Sequence, residues 1–126
     1  MIIYVTHSRN YDYKTELYLP LKNSSLLHSH TLILPHDLSD DAYDSKTLFS
    51  EKKCDLVIAE ISYSSTSQGI EIGWADMKDI PIICVVKHGN VYSQSLKAVT
   101  HHFIVYADSK ELVSRLAEFL NSFPIA

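Results

Sequence analysis

Several common devices are scarce or missing in this chain of 126 residues. There are only two cysteines, Cys54 and Cys84, without metal or redox spacing and each set against apolar residues of an expected strand, so they read as reduced core thiols of a cytoplasmic protein. The seven histidines are scattered without an HExxH pairing, which argues against a metal site. No apolar stretch is long enough to span a membrane; runs such as Ile80–Val86 are strand-sized and interrupted by Pro81. The N-terminus lacks a basic region and a small-residue cleavage site, so no signal peptide is expected. With three glycines there is no GxGxxG or Walker A pattern, which disfavours a dinucleotide or triphosphate site. The net charge is −4 and no Lys/Arg cluster stands out, which argues against a nucleic-acid partner.

What remains is a composition ordinary for a soluble protein, 46% hydrophobic and 21% charged, and a length suited to one domain over residues 1–126. Short apolar runs alternate with amphipathic segments, the pattern of an α/β layered fold. Strands are expected at Ile2–Thr6, Thr31–Leu34, Asp55–Ile61, Ile82–Lys87 and Phe103–Tyr106. Helices are expected from Asp12 to about Leu27, broken or kinked by Pro20, then at Asp44–Lys53, Gly69–Lys78 and Ser109–Ser122. The last should turn Leu112, Val113, Leu116, Phe119 and Leu120 inward. The expected architecture is a single-domain, Rossmann-like (flavodoxin-like) and largely parallel sheet of about five strands, with helices on both faces. Ligands of such sheets bind beyond the carboxyl ends of the strands. That brings three loops into play, at 6–12, 62–69 and 88–95, all rich in hydroxyls and amides and suited to one small anion.

The segment Ser62–Ala75, SYSSTSQGIEIGWA, leads five serine and threonine residues into a glycine and then sets Glu71 in an apolar run. Two readings are open: Glu71 favours the dipole at a helix start, or it does chemistry.

The stretch CDLVIAEISYSSTSQGIEIGWA (Cys54–Ala75) resembles the nucleoside 2-deoxyribosyltransferase superfamily, most of all its 2′-deoxynucleoside 5′-monophosphate N-glycosidases. The similarity runs on through IICVVKHGNVYS and FIVYADSKELVSRLAEFL and includes IIYVTHS; it is weakest over residues 11–53. The resemblance implies that Glu71 is the nucleophile toward the anomeric carbon of deoxyribose, forming a glycosyl-enzyme resolved by water or a second base. It implies that Tyr4 orients that nucleophile. It also implies that Ser8, Ser65 and Ser93 bind the 5′-phosphate, Ser93 reaching across from a second subunit of a homodimer, or Ser95 if no gap is allowed. Arg9 stands one place from a family arginine and is a candidate phosphate partner. Gly69 and Gly73 would give sugar and neighbouring strand clearance to the backbone. No cofactor is implied.

The pattern departs from the family at two points. An acid that assists proton delivery to the departing base would fall at Thr47. The nearest carboxylate is Asp44, which also suits a helix N-cap. His7 stands where the family has a glycine beside the sugar, and either His7 or Asp44 is a candidate for the missing acid. The readings left open are a glycosidase or transferase with a rearranged acid, a nucleotide-binding protein without efficient chemistry, and an α/β interaction module. Tyr11, Tyr13, Tyr18 and Trp74 are open between base stacking, interface and core.

Overall fold

The computed structural model describes residues 1–123, apart from the side chain of Leu27. Five strands, β1 (Ile2–His7), β2 (Thr31–Ile33), β3 (Leu56–Glu60), β4 (Ile82–Lys87) and β5 (Phe103–Tyr106), form one sheet in the order β2-β1-β3-β4-β5. Every pairing is parallel. This is the doubly wound, flavodoxin-like order, with its switch point between β1 and β3.

Strand periodicity divides the sheet into two cores. On one face Ile3 and Val5, Leu56 and Ile58, and Ile83 and Val85 meet α1 (Leu19–Lys22) and α5 (Ser109–Ser122). On the other, Tyr4, Val57, Ala59 and Cys84 meet α3 (Ser45–Ser50) and α4 (Thr66–Met77). A short α2 (Leu26–Ser29) leads into β2. Strands buried on both faces read as unbroken apolar runs, as LVIAE and IICVVK do. In α5, Leu112, Leu116 and Leu120 are buried, while Val113 and Phe119 lie half-buried at the margin.

The first helical segment differs from expectation. Pro20 has no amide to donate to the carbonyl of Glu16, and the chain absorbs the gap with a π turn over Lys14–Tyr18 that runs straight into α1. The freed Glu16 carbonyl accepts from the Ser109 hydroxyl at 3.5 Å. The break falls instead at residues 23–25, between α1 and α2.

The helix expected at Gly69–Lys78 begins a turn earlier, at Thr66. Ser65 caps α4, its Oγ accepting from the Gln68 amide at 3.3 Å, so Thr66, Ser67 and Gln68 are helix rather than loop. The expected helix from Asp44 to Lys53 is shorter, stopping at Ser50 ahead of Lys52, whose φ is +51°. A 3-10 turn at Gln94–Ala98 had no sequence counterpart in the expected elements.

Candidate active site

Because side chains alternate along β1, Tyr4 and Thr6 point to the α4 face and His7 to the α1 face. Glu71 is the sixth residue of α4, beyond the free amides of the first turn, so it is not the helix-start acid that the sequence suggested. Its partners come from the sheet. The Tyr4 hydroxyl donates to Glu71 Oε2 at 2.6 Å, and the Thr6 hydroxyl donates to Oε1 at 2.7 Å. Burial first, and then the neighbouring Glu71 charge, raise the Tyr4 pKa far above the ordinary tyrosine range, so Tyr4 stays a donor.

Gln68, one turn before Glu71 and buried, donates through Nε2 to the carbonyls of Glu60 at 2.6 Å and Thr6 at 3.2 Å. It fastens the start of α4 to the ends of β1 and β3. Neither Thr6 nor Gln68 stood out in the sequence. Thr6 was legible as the residue two along from Tyr4 on the same face, and Ser65-x-x-Gln68 carries the spacing of a capping box.

Glu71 looks into a cleft of about 860 Å³ beyond the carboxyl ends of β1 and β2. On one wall stand Ser8, Arg9 and Asn10, and on another Ser64, Ser65, Thr66 and Ser67 at the start of α4. The Ser8 hydroxyl accepts from the Asn10 amide at 3.0 Å, as Ser65 accepts from Gln68. Each therefore keeps its own hydrogen to donate; Ser65 is half-buried at the cleft, whereas Ser8 is buried within the wall. Arg9 lies along the rim, 3.8 Å from Asp40. A third side is aromatic and apolar, with His36, Tyr43, Ile70 and Trp74. Ile70 and Tyr43 are 48% and 41% exposed, which leaves them free to meet a flat ring.

His7 also lines the cleft, but its ring is committed. Nδ1 lies 2.8 Å from the Ser8 carbonyl and Nε2 2.6 Å from the Tyr18 hydroxyl, which itself accepts from the His36 amide at 3.0 Å. A carbonyl can only accept, so Nδ1 carries the hydrogen and Nε2 accepts. Burial pushes the His7 pKa down to about 4, so the ring is neutral near pH 7. Tyr13 and Tyr18 pack on this imidazole, at centroid distances of 4.4 and 5.1 Å, and belong to the core. Tyr11 stacks on Tyr63 at 4.6 Å; of the four aromatics singled out in the sequence, Trp74 is the one that lines the cleft.

Asp44 is the N-cap of α3. Its carboxylate accepts from the Thr47 amide at 3.1 Å, is exposed, and is absent from the cleft lining. Hydrogen bonds from Thr47 hold its pKa below the ordinary aspartate value. Neither expected stand-in for the missing acid is therefore a free proton donor in the cleft. His36, which the sequence did not single out, does line it, and its Nδ1 has no hydrogen-bond partner among the described residues.

Gly69 and Gly73 need correction too. Both are exposed on α4 with nothing within 4 Å of a Cβ built on either, so no strand of the chain approaches them, and Gly69 is not in the cleft lining. The 88–95 loop likewise contributes nothing to the lining. Ser93 lies there, exposed, accepting from the Ser95 amide at 3.2 Å.

Behind the site sits a second acid that the sequence reading passed over. Glu60 is 1% exposed, and its carboxylate accepts from the Ser62 amide and hydroxyl at 2.6 and 2.9 Å and from the Tyr106 hydroxyl. The Ser62 hydroxyl accepts in turn from the Lys87 amide at 2.8 Å. This knot ties the ends of β3, β4 and β5 together; burial raises the Glu60 pKa.

Among the described residues no helix is long and apolar enough to cross a membrane. No family model and no curated protein sequence matches the chain. The fold is shared with solved structures, among them a CMP N-glycosidase, BcmB, of Clostridium botulinum. The two superpose with a TM-score of 0.62 over 93% of this chain and 99% of that one, at 22% identity. At that identity the likeness establishes the fold alone.

Proposed function

We propose that the chain is an N-glycosidase of nucleoside 5′-monophosphates, using Glu71 as nucleophile through a glycosyl-enzyme. The observation that carries this reading is the carboxylate of Glu71, held at both oxygens by Tyr4 and Thr6 and turned into a cleft with a hydroxyl-lined anion wall on one side and aromatic groups on another. The sequence resemblance to nucleoside 2-deoxyribosyltransferases and the fold shared with a CMP N-glycosidase support it.

The anion wall takes the 5′-phosphate through the Ser65 hydroxyl, the amides at the start of α4 and Arg9, and Ser8, buried within that wall, reaches it once the bound phosphate draws the 8–10 loop inward. The base lies toward Tyr43, Ile70 and Trp74. Glu71 attacks the anomeric carbon; the bond to the base nitrogen breaks, and its electron pair leaves with the base. His36 supplies the proton that makes the base a better leaving group. Water then attacks the same carbon, giving a proton to the His36 that has just lost one; the bond to Glu71 breaks, freeing the carboxylate and releasing the sugar 5-phosphate.

Ser93 completes the phosphate site of a partner subunit in a homodimer; its exposure and its distance from this chain's own cleft lining fit that role. Two buried free thiols, Cys54 and Cys84, with pKa values pushed by burial to about 11 and about 12, fit a reducing compartment such as the cytoplasm.

The test is incubation with ribo- and deoxyribonucleoside 5′-monophosphates and with the corresponding nucleosides, following free base. Release from monophosphates, and much less from nucleosides, is expected. The deoxy series is favoured by the sequence resemblance and cytidylate by the structural neighbour, and the panel separates them. Thermal stabilisation by monophosphates without any base release would instead identify a nucleotide-binding protein.

A further inference from the structure

A glutamate nucleophile must present one oxygen to a carbon in a fixed direction, yet the last torsion of its side chain is broad and weakly staggered. A single donor does not fix the carboxylate plane; two donors, one to each oxygen, do. In this chain both come from one rigid strand, from Tyr4 at 2.6 Å and Thr6 at 2.7 Å.

The two donors are not equivalent. Both are buried, but Tyr4 is among the residues that line the cleft and Thr6 is not. The oxygen that Thr6 holds is therefore the inward one, and Oε2, shared with Tyr4, faces the cleft. Thr6 is itself pinned: its carbonyl accepts from Gln68 Nε2 at 3.2 Å, and Gln68 stands one turn before Glu71 on the same helix. Strand, helix and carboxylate close into one brace.

Resting on the glycosidase reading above, we infer that Thr6 is a positioning residue for the reaction: its hydroxyl locks the inward oxygen of Glu71 so that Oε2 is presented to the anomeric carbon. Thr6 touches no substrate. Its removal should leave nucleotide binding intact and slow the step in which the glycosyl bond breaks.

The test compares Thr6→Val, which replaces the hydroxyl by a methyl of similar volume and suits a strand, with Thr6→Ser, which keeps the donor. A hydrogen bond to a charged group predicts a kcat loss of about ten- to a hundredfold for Thr6→Val. KM should stay within about twofold of wild type, because the interaction acts on the chemical step. Thr6→Ser should recover most of the rate, and the melting temperature of Thr6→Val should stay near that of wild type. If Thr6→Val does not fold, Thr6→Ala, which also lacks the donor, takes its place in the comparison.

A valine variant with wild-type kcat, or one altered in KM alone, overturns the inference. So does a serine variant as slow as the valine one, which would make the methyl packing decisive instead. A wild-type protein that releases base from no monophosphate overturns both the inference and the reading it rests on. Activity indifferent to Thr6→Val overturns only the inference.

Discussion

Two histidines linked by two hydrogen bonds through the Tyr18 hydroxyl have opposite prospects for chemistry. His7 is spent: one ring nitrogen is bonded to the Ser8 carbonyl and the other to the Tyr18 hydroxyl. With its folded pKa near 4 against an ordinary 6.5, its neutral form stabilises the fold. That contribution is fully present above pH 6.5 and is lost as pH falls through about 4, since the unfolded chain takes up the proton first. At about 1.4 kcal/mol per pKa unit the loss approaches 3 kcal/mol. Chemical denaturation at pH 7 and pH 4 should show wild type losing more stability than His7→Gln by roughly that amount; parallel losses would contradict it. His36 Nδ1 has no hydrogen-bond partner among the described residues, and the His36 pKa is lowered by burial and then by the Arg9 charge. As a proton donor it must start protonated. kcat/KM for base release should therefore fall as pH rises through a value below the usual histidine range, and His36→Gln should cost about a hundredfold and flatten that limb. A variant with the wild-type pH profile would remove His36 from the mechanism. What made these roles illegible is that they depend on which hydroxyl a ring happens to meet, which no spacing in the sequence records.

At the scale of elements, α4 delivers Glu71 because its first turn is fastened on both sides of the switch point. Gln68 joins the ends of β1 and β3 at once, with hydrogen bonds of 3.2 and 2.6 Å to the carbonyls of Thr6 and Glu60. Gln68→Ala leaves two buried carbonyls short of a donor and should destabilise the protein by about 2–4 kcal/mol, measured as a shift in the denaturant midpoint. The same change should slow base release, because the helix loses its anchor one turn before the nucleophile. An unchanged midpoint would show that water replaces the amide. The strands were legible here, since β3 and β4 are apolar up to their last residues and α5 repeats leucine every fourth residue. The start of α4 was missed because hydroxyl residues read as loop when they sit in a helix's first turn. The π turn was missed because Pro20 reads as a break when a neighbouring i→i+5 hydrogen bond can accommodate it.

For the molecule as a whole, the sheet's switch point sets the loops after β1 and β3 beside one cleft, and that much followed from the α/β pattern; the loop after β2, with Pro35, His36 and Tyr43, joins them in place of the expected 88–95 loop. The resemblance placed Tyr4, Glu71, Ser8, Arg9 and Ser65 in or at that cleft, and the structure brings them together. It also nominated Gly69 and Asp44, which lie outside the lining. Ser93 needs a second copy. If the partner subunit supplies it, Glu71→Gln and Ser93→Ala proteins should each be impaired, yet a mixture allowed to exchange subunits should regain activity. A heterodimer then holds one site with both wild-type residues. A mixture no more active than its parts would contradict shared sites. Such exchange needs an assembly that sediments as a dimer at assay concentration, which can be checked on the same samples.

The central claim concerns Glu71, and the rate of base release by Glu71→Gln under saturating nucleoside 5′-monophosphate tests it most directly. The substitution keeps the side chain's shape and removes its nucleophilic oxygen pair. The account predicts a folded protein that still binds the nucleotide and releases base at least about a thousandfold more slowly than wild type. A Glu71→Gln protein that releases base at a rate close to wild type would contradict it.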